Sequence, residues 1–116
     1  MAKVSKAGMV IHPVDDLGEA VAFYRDALGL ELQFQDGQRF AAFSAGGTTI
    51  ALAAGEERLH ERALVSYKVD DVDAAVADAV SAGARVVRAP EDGPHERRAV
   101  VLDPADNPLV LYASLA

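Results

Sequence analysis

Histidine is the residue type in this chain best suited to moving protons or binding a metal ion, because its imidazole changes charge near neutral pH. Three histidines are present, His12, His60 and His95, and the last two each begin a His-Glu-Arg triplet. An imidazole beside a carboxylate can bind a metal ion or transfer a proton. Both triplets lie in polar stretches that predict loops, where such groups are usually solvated, and we favour the solvated interpretation.

His12 lies in the alternating apolar segment 9–14, and the alternation places it on the strand face toward the helix that follows. This favours a partly buried histidine near Pro13. The absence of cysteine excludes thiolate metal sites, disulfides and cysteine nucleophiles. Gly46-Gly47 lies between two strand candidates and opens no helix, so it is not a phosphate-binding loop. The sequence offers no nucleophile paired with a base.

A repeat indicates the elements that must position these residues. Seven of the fourteen residues at 14–27 are identical to those at 69–82, and both stretches begin Val-Asp-Asp. In each copy an alternating strand, at 9–14 or 64–69, runs into an aspartate suited to cap a helix. Each helix has an apolar face and ends at a glycine, Gly29 or Gly83.

Three short strands are predicted after each of these glycines, which gives the order βαβββ twice and an α+β class. The predicted strands are 31–35, 39–44 and 48–53, then 85–88, 98–103 and 109–113, the last three separated by a loop at 90–94 and a turn at 104–108.

The repeat predicts one domain, 1–116, built from two modules. The boundaries are a first module at 7–54, a linker at 55–62 and a second module at 63–116. A linker of this length lets the modules pack together or lets one reach a partner chain, and the sequence does not choose between these arrangements.

The charge balance and the lack of long apolar runs limit the kinds of partner that the protein can bind. Eighteen acidic against eleven basic residues give a net charge of −7, which disfavours nucleic acid. The first fifteen residues lack the apolar core of a signal peptide, and no apolar run approaches the roughly 20 residues that span a bilayer. We therefore expect a cytoplasmic protein that binds neither nucleic acid nor membrane. An acidic surface also attracts cationic small molecules, although it more often only aids solubility.

Several stretches together resemble the vicinal-oxygen-chelate superfamily, that is, the glyoxalases, bleomycin-resistance proteins and related dioxygenases. They are Val-Asp-Asp-Leu and Ala-Phe-Tyr-Arg-Asp-Ala-Leu-Gly-Leu at 14–17 and 22–30, Val-Asp-Asp-Val-Asp-Ala at 69–74, and Asp-Pro-Ala-Asp-Asn-Pro-Leu at 103–109. The last is similar to the family's Asp-Pro-Asp-Gly-Asn turn. The resemblance covers essentially the whole chain and implies two βαβββ modules whose eight strands form an open, cup-shaped mixed sheet with helices on its outer face.

The resemblance also implies where a metal would be bound. Enzymes of the family hold a divalent ion on the floor of the cup, typically with His, Glu or Gln ligands, one from each of four strands. Matching the family's motifs places these ligand positions at Met9, Ala51, Leu64 and Val110, all of which are apolar. A hard divalent cation needs oxygen or imidazole donors. We therefore expect no metal and no other cofactor.

The inward positions of the first and last strands of each module would line a mostly apolar pocket with a few polar groups, typical of a small-molecule site. The predicted ligand-binding residues are Met9, Ile11, Thr49, Ala51, Leu64, Ser66, Lys68, Val110 and Tyr112. The competing interpretation is a closed core, which would have to satisfy these polar groups.

Three functions are compatible with the resemblance. The favoured one is a metal-free protein that sequesters an apolar or aromatic compound such as an antibiotic, and the acidity of the chain is compatible with a cationic compound. The alternative is a lyase, isomerase or dioxygenase that acts without the usual metal or with displaced ligands, for which no catalytic residue is identified. The third is a noncatalytic interaction module. Exposed strand edges and the family's habit of pairing modules predict a homodimer.

Overall fold

The structure, a computed structural model, describes residues 3–115 of the chain. Its helices and strands follow the predicted order, and the α+β class is confirmed. The chain divides into two compact units: an N-terminal unit, Met9–Ala63, and a C-terminal unit made of residues 64–115 together with 3–8. Met1, Ala2 and Ala116, which the predicted domain includes, lie outside the described residues. The module boundaries stay a prediction.

The N-terminal unit packs one helix on one face of its strands. Its elements are β1 (Lys6–Pro13, from Met9 onward), α1 (Leu17–Ala22), β2 (Glu31–Asp36), β3 (Phe40–Ala45) and β4 (Thr48–Ala53). The strand order is β2-β3-β4-β1, with β1 parallel to β4 and the other neighbours antiparallel. The core between α1 and the strands is formed by Leu17, Val21, Ala41, Phe43, Leu52 and Ala54.

The first helix does not run to Gly29 as a regular α-helix. After Ala22 the chain widens into a π-helical segment, Phe23–Ala27, in which the Leu28 N–H donates to the Phe23 carbonyl at 3.2 Å. The widened turn leaves the Tyr24 ring 6.0 Å from that of Phe43, inside the core, while the Phe23 side chain is exposed. Packing of one aromatic ring thus accompanies a change in helix geometry that apolar periodicity did not predict.

The C-terminal unit repeats the arrangement. Its elements are the first three residues of β1 (6–8), then β5 (Leu64–Lys68), α2 (Val72–Ser81), β6 (Arg85–Asp92), β7 (Glu96–Leu102) and β8 (Pro108–Ser114). The strand order is β5-β8-β7-β6, with β5 parallel to β8 and the other neighbours antiparallel. Its core is formed by Val69, Val72, Ala75, Val76, Ala99, Val101 and Leu111. The 3–8 segment joins this unit through the Ser5 N–H, which donates to the Lys68 carbonyl at 2.8 Å.

The aspartates predicted to cap the helices do so. Asp16 accepts a hydrogen bond from the Glu19 N–H, and Asp71 accepts one from the Ala74 N–H, both at 3.0 Å. Each bond satisfies one backbone donor that a helix start leaves without an intrahelical partner. The Val-Asp-Asp repeat therefore marks the two helix starts, as the sequence predicts.

The predicted loop at 90–94 is wrong in extent, because β6 continues to Asp92 and β7 begins at Glu96. The turn is closed by the Gly93 N–H, which donates to the Glu96 carbonyl at 2.7 Å. Pro90 suggested a loop, but β6 is the outermost strand in the order of its unit, where a residue without an N–H is tolerated.

No helix formed by residues 3–115 has the length and hydrophobicity needed to cross a bilayer.

The turn between β7 and β8 accounts for the family-like motif at 103–107. Asp103 Oδ1 accepts hydrogen bonds from the Ala105 N–H at 2.8 Å and the Asn107 N–H at 2.9 Å. Asp106 has a φ of +67°, the left-handed conformation that glycine adopts freely and aspartate tolerates. Asp106, at the position where the similar motif has glycine, therefore takes a backbone conformation that favours glycine.

Candidate functional site

The candidate site of the C-terminal unit lies on the face of its strands opposite α2, which we call the far face. The core residues of β5, β7 and β8 point toward α2, so alternation puts their neighbours on the far face. These neighbours are Leu64, Ser66, Lys68, Arg98, Val100, Val110 and Tyr112. All five residues predicted for this unit thus share one face, and Arg98 is added to them.

The far face is apolar at one end and polar at the other. Ser66, Val110 and Val100 are direct partners across β5, β8 and β7, and all three are buried. The next row along the strands consists of Lys68, Tyr112 and Arg98, each partly exposed. A small molecule bound here would meet hydrocarbon on one side and hydrogen-bond donors on the other.

Tyr112 occupies its position because Gly8 has no side chain. A Cβ built on Gly8 would lie 2.2 Å from the Tyr112 hydroxyl oxygen and 2.9 Å from the ring carbon that carries it. Gly8 has no positive φ, so its backbone does not require glycine. Glycine in a strand often marks a close approach of another group, and here that group is the Tyr112 phenol.

Arg98 is accommodated by a second glycine. A Cβ on Gly93 would lie 2.9 Å from the central carbon of the Arg98 guanidinium and 3.0 Å from one of its terminal nitrogens. Gly93 also lacks a positive φ, so the space it leaves is the clearest reason for glycine there. The guanidinium therefore lies against the turn between β6 and β7, at the edge of the far face.

Burial and the nearby Glu96 keep the Tyr112 hydroxyl protonated. Burial, and then the negative charge of Glu96, raise the pKa of Tyr112 above its ordinary value. The hydroxyl is therefore a hydrogen-bond donor throughout the neutral range. Glu91, the direct partner of Arg98 on β6, also binds Arg88 at 2.8 Å, and Arg88 followed by Arg98 lowers the pKa of Glu91.

In the N-terminal unit, the far face is the face of the strands away from α1. Ile11 is paired with Ala51 on β4 and Ala51 with Ala42 on β3, and Phe34 on β2 is the direct partner of Ala42 on this same face. Ala51 is buried, whereas Met9, Ile11 and Thr49 are partly exposed. The four predicted residues of the unit therefore share one face, where Ser44, the direct partner of Thr49, adds a second hydroxyl.

The four positions expected to ligate metal do not fit one. Ala51, Leu64 and Val110 are buried hydrocarbon side chains, and Met9 supplies only a thioether. Divalent Mg, Mn, Ni or Zn is not held by hydrocarbon, and a thioether is a poor donor for these ions. Among residues 3–115, no three His, Cys, Asp or Glu side chains come together as a possible metal site.

Each histidine takes part in a ring contact or a hydrogen bond within the fold. The His12 ring stacks on Tyr24 at 6.0 Å, on the helix side of its strand, as the alternation predicts. His60 Nδ1 accepts a hydrogen bond from the Arg62 N–H at 3.0 Å, and the His95 carbonyl accepts one from the Leu115 N–H at 3.2 Å.

The second triplet is not wholly in a loop, because its glutamate and arginine belong to β7. Arg97 binds both carboxylate oxygens of Asp73 on α2, at 2.8 and 2.9 Å, and also Asp92 at 3.1 Å. The arginine of this triplet therefore connects a strand to the helix packed on it, which is a structural role.

Sequence reasoning missed Arg98, Gly8 and Gly93. The signal for Arg98 was present, since the predicted strand 98–103 already puts it on the same face as Val100 by alternation. The predicted site residues come only from the first and last strands of each module, and β7 is neither. Gly8 gave no signal, because the Tyr112 side chain that needs its space lies more than one hundred residues away in the sequence. Gly93 lies five residues before Arg98, but a glycine in a predicted loop does not by itself indicate a neighbouring side chain.

Comparison with known proteins agrees with this architecture. A family model described as the Glyoxalase/Bleomycin resistance protein/Dioxygenase superfamily matches residues 6–111. An uncharacterized protein of Mycolicibacterium smegmatis is 40% identical over 108 residues, which is 92% of each chain. A Legionella pneumophila structure named as an NAD-dependent benzaldehyde dehydrogenase has a TM-score of 0.78 at 19% identity, over 92% of this chain and 98% of that one. A Vibrio splendidus member of the superfamily has a TM-score of 0.68 at 15% identity, over 99% and 100% of the two chains. At these identities the structural likeness shows the fold alone.

Proposed function

Because the chain belongs to the glyoxalase/bleomycin resistance protein/dioxygenase superfamily, we propose that it binds and sequesters a small apolar or aromatic molecule, such as an antibiotic, without a metal ion. The observation that supports this most is the composition of the far face in the C-terminal unit. Leu64 and Val110 lie on this face at ligand positions of the family, on the same side of the strands as Tyr112, and are 4% and 0% exposed, so a ligand contacts them only when this face opens. Hydrocarbon and an aromatic ring favour burial of an apolar body.

The polar groups of this face give the bound molecule an orientation. Ser66 is buried next to Val110, and the protonated Tyr112 hydroxyl lies one row further along the strands. A few polar groups at the edge of an apolar surface are typical of small-molecule sites. Met9, Ile11, Thr49 and Ala51 on the other unit stay predicted ligand-binding residues, and a cytoplasmic location stays a prediction.

The proposal predicts binding to protein that contains no metal. Elemental analysis after dialysis against EDTA, on protein purified without a histidine tag, should give far less than one Ni, Zn, Mn or Fe per chain. A screen of aromatic compounds by thermal unfolding should then find ligands for this same protein. A ligand at about 100 times its dissociation constant adds about 2.7 kcal/mol of stability, which raises the melting temperature by roughly ten degrees. One equivalent of metal that survives dialysis, or binding that requires added metal, would contradict the proposal.

We also propose that the protein is a homodimer. β2 and β6 are the outermost strands of their units, and apolar side chains on them are exposed: Phe34 by 54%, and Val86 and Val87 by 45% each. An uncovered strand edge with apolar neighbours is a template for pairing with another chain. Light scattering at micromolar concentration should give about twice the chain mass of 12.2 kDa. A monomer across that range would contradict this, and Val87→Lys should shift a dimer toward monomer.

A further inference from the structure

We propose that the C-terminal unit binds the carboxylate of a small aromatic acid, with Lys68 and Arg98 as its cationic contacts on either side of Tyr112. This inference rests on the proposed function and names the chemical class of its ligand. It differs from the expectation that the net acidity of the chain gives, because the charges nearest the candidate site have the opposite sign.

The strand register places the two cations symmetrically. Lys68 is the direct partner of Tyr112 across β5 and β8, and Tyr112 is the direct partner of Arg98 across β8 and β7. Two strand spacings separate the Cα atoms of Lys68 and Arg98 by about 10 Å. Both side chains are long, so Lys68 can extend its amine toward a group bound above the Tyr112 ring, and the Arg98 guanidinium reaches the same group by moving from its place against Gly93. No side chain within residues 3–115 forms an ion pair with Lys68.

Two glycines leave space for side chains of the row formed by Lys68, Tyr112 and Arg98. In the C-terminal unit, Gly8 and Gly93 are the described glycines whose added Cβ would lie within 3.0 Å of another atom. Gly8 makes room for the Tyr112 phenol, and Gly93 for the Arg98 guanidinium. Two of the three side chains in this row are therefore given space by a residue whose backbone does not require glycine. Gly8 thus gives the Tyr112 phenol donor a defined place, whereas the Arg98 guanidinium is the far end of a flexible side chain and can leave Gly93 to meet a ligand.

The local charge balance favours an anion. Around the Tyr112 row the far face carries Lys68, Arg88 and Arg98 against Glu91 and Glu96, a surplus of one positive charge in a chain whose net charge is −7. Glu91 is bound by Arg88 at 2.8 Å, which offsets one pair of these charges. A cationic ligand would meet repulsion from Lys68 and Arg98, whereas a carboxylate accepts charge-assisted hydrogen bonds from both. The neighbouring apolar row suits the aromatic body.

A titration with three matched compounds tests this. The probes are 2-naphthoate, the neutral 2-naphthalenemethanol and the cationic 2-naphthylmethylamine, added to the full chain at low ionic strength with calorimetric or NMR detection. The variants are Lys68→Met and Arg98→Lys, which keep most of the side-chain volume, with Lys3→Met as a control for loss of one exposed charge. Thermal unfolding of each variant verifies that it is folded.

We expect 2-naphthoate to bind at least about tenfold more tightly than the alcohol, and the amine to bind more weakly than either. Lys68→Met should lower the affinity for naphthoate about tenfold and leave that for the alcohol within about twofold. Arg98→Lys should weaken naphthoate binding by losing the guanidinium fork, although the charge remains. Lys3→Met should change neither affinity.

Equal affinities for the acid and the alcohol, or an equal loss of both in Lys68→Met, would overturn the carboxylate inference while the proposed function stands. Binding of none of the three compounds would overturn the inference as well, and the proposed function would then be decided by the wider screen of metal-free protein. If Arg98→Lys fails to fold, Lys68→Met still decides the inference, because its test compares two ligands on one folded variant.

Discussion

Replacing Leu64 by glutamate should remove ligand binding and lower the free energy of unfolding by about 3 kcal/mol or more. Leu64 is 4% exposed on the far face of β5, and the next residue along the strand on that face is the buried Ser66. A carboxylate placed there loses its hydration without gaining a cation, and the neutral form still leaves a polar group in an apolar site. Thermal or denaturant unfolding, together with titration of a ligand from the screen, measures both effects.

Two matched variants separate the effect of the added carboxylate from the effect of changing a buried side chain at position 64. Leu64→Met keeps the volume and the apolar character, and should cost less than about 1.5 kcal/mol. Val80→Glu adds the same carboxylate on α2 at a position that is 46% exposed, and should change stability by no more than about 0.5 kcal/mol. If Leu64→Glu abolishes binding with little loss of stability, the site is open to water. Should both properties stay at the wild-type level, position 64 does not line the site and its assignment from strand register is wrong.

Replacing Gly8 by alanine should displace Tyr112, with a loss of about 1 to 3 kcal/mol in unfolding free energy and a weaker affinity for any ligand that contacts the phenol. The added Cβ would lie 2.2 Å from the Tyr112 hydroxyl oxygen, closer than real atoms approach. The ring must therefore move, since the backbone at Gly8 has no positive φ that alanine would strain. Unfolding experiments and the NMR signals of the Tyr112 ring report this movement.

A double-mutant cycle shows whether Tyr112 is the cause. Gly8→Ala should cost much less when Tyr112 is already leucine, because the colliding hydroxyl and ring are gone. Gly18→Ala serves as the control, since a Cβ there meets its nearest neighbour at 3.6 Å and the residue lies in α1, where alanine is favoured. An equal cost of Gly8→Ala in both backgrounds would mean that Tyr112 does not lie against Gly8.

The sequence by itself determined the class of the fold and the face on which each predicted site residue lies. Val-Asp-Asp occurs twice because an aspartate after a strand caps a helix, and Asp16 and Asp71 make those capping bonds. Period-two alternation put Leu64, Ser66 and Lys68 on one face, since successive side chains of a strand point to opposite sides. Both signals are local, and local signals can be read without knowing which strands are neighbours.

Only the tertiary structure decided the extent of β6, the π-helical turn after α1 and the grouping of Lys68, Tyr112 and Arg98. Pro90 signalled a loop, and its place on an outermost strand, which is a property of the strand order, removed the conflict. Tyr112 meets Gly8 across more than one hundred residues of sequence, and Lys68 shares a row with Arg98 because β8 lies between their strands. Such contacts depend on which strands pair and in what register, and one sequence contains no local pattern that determines either.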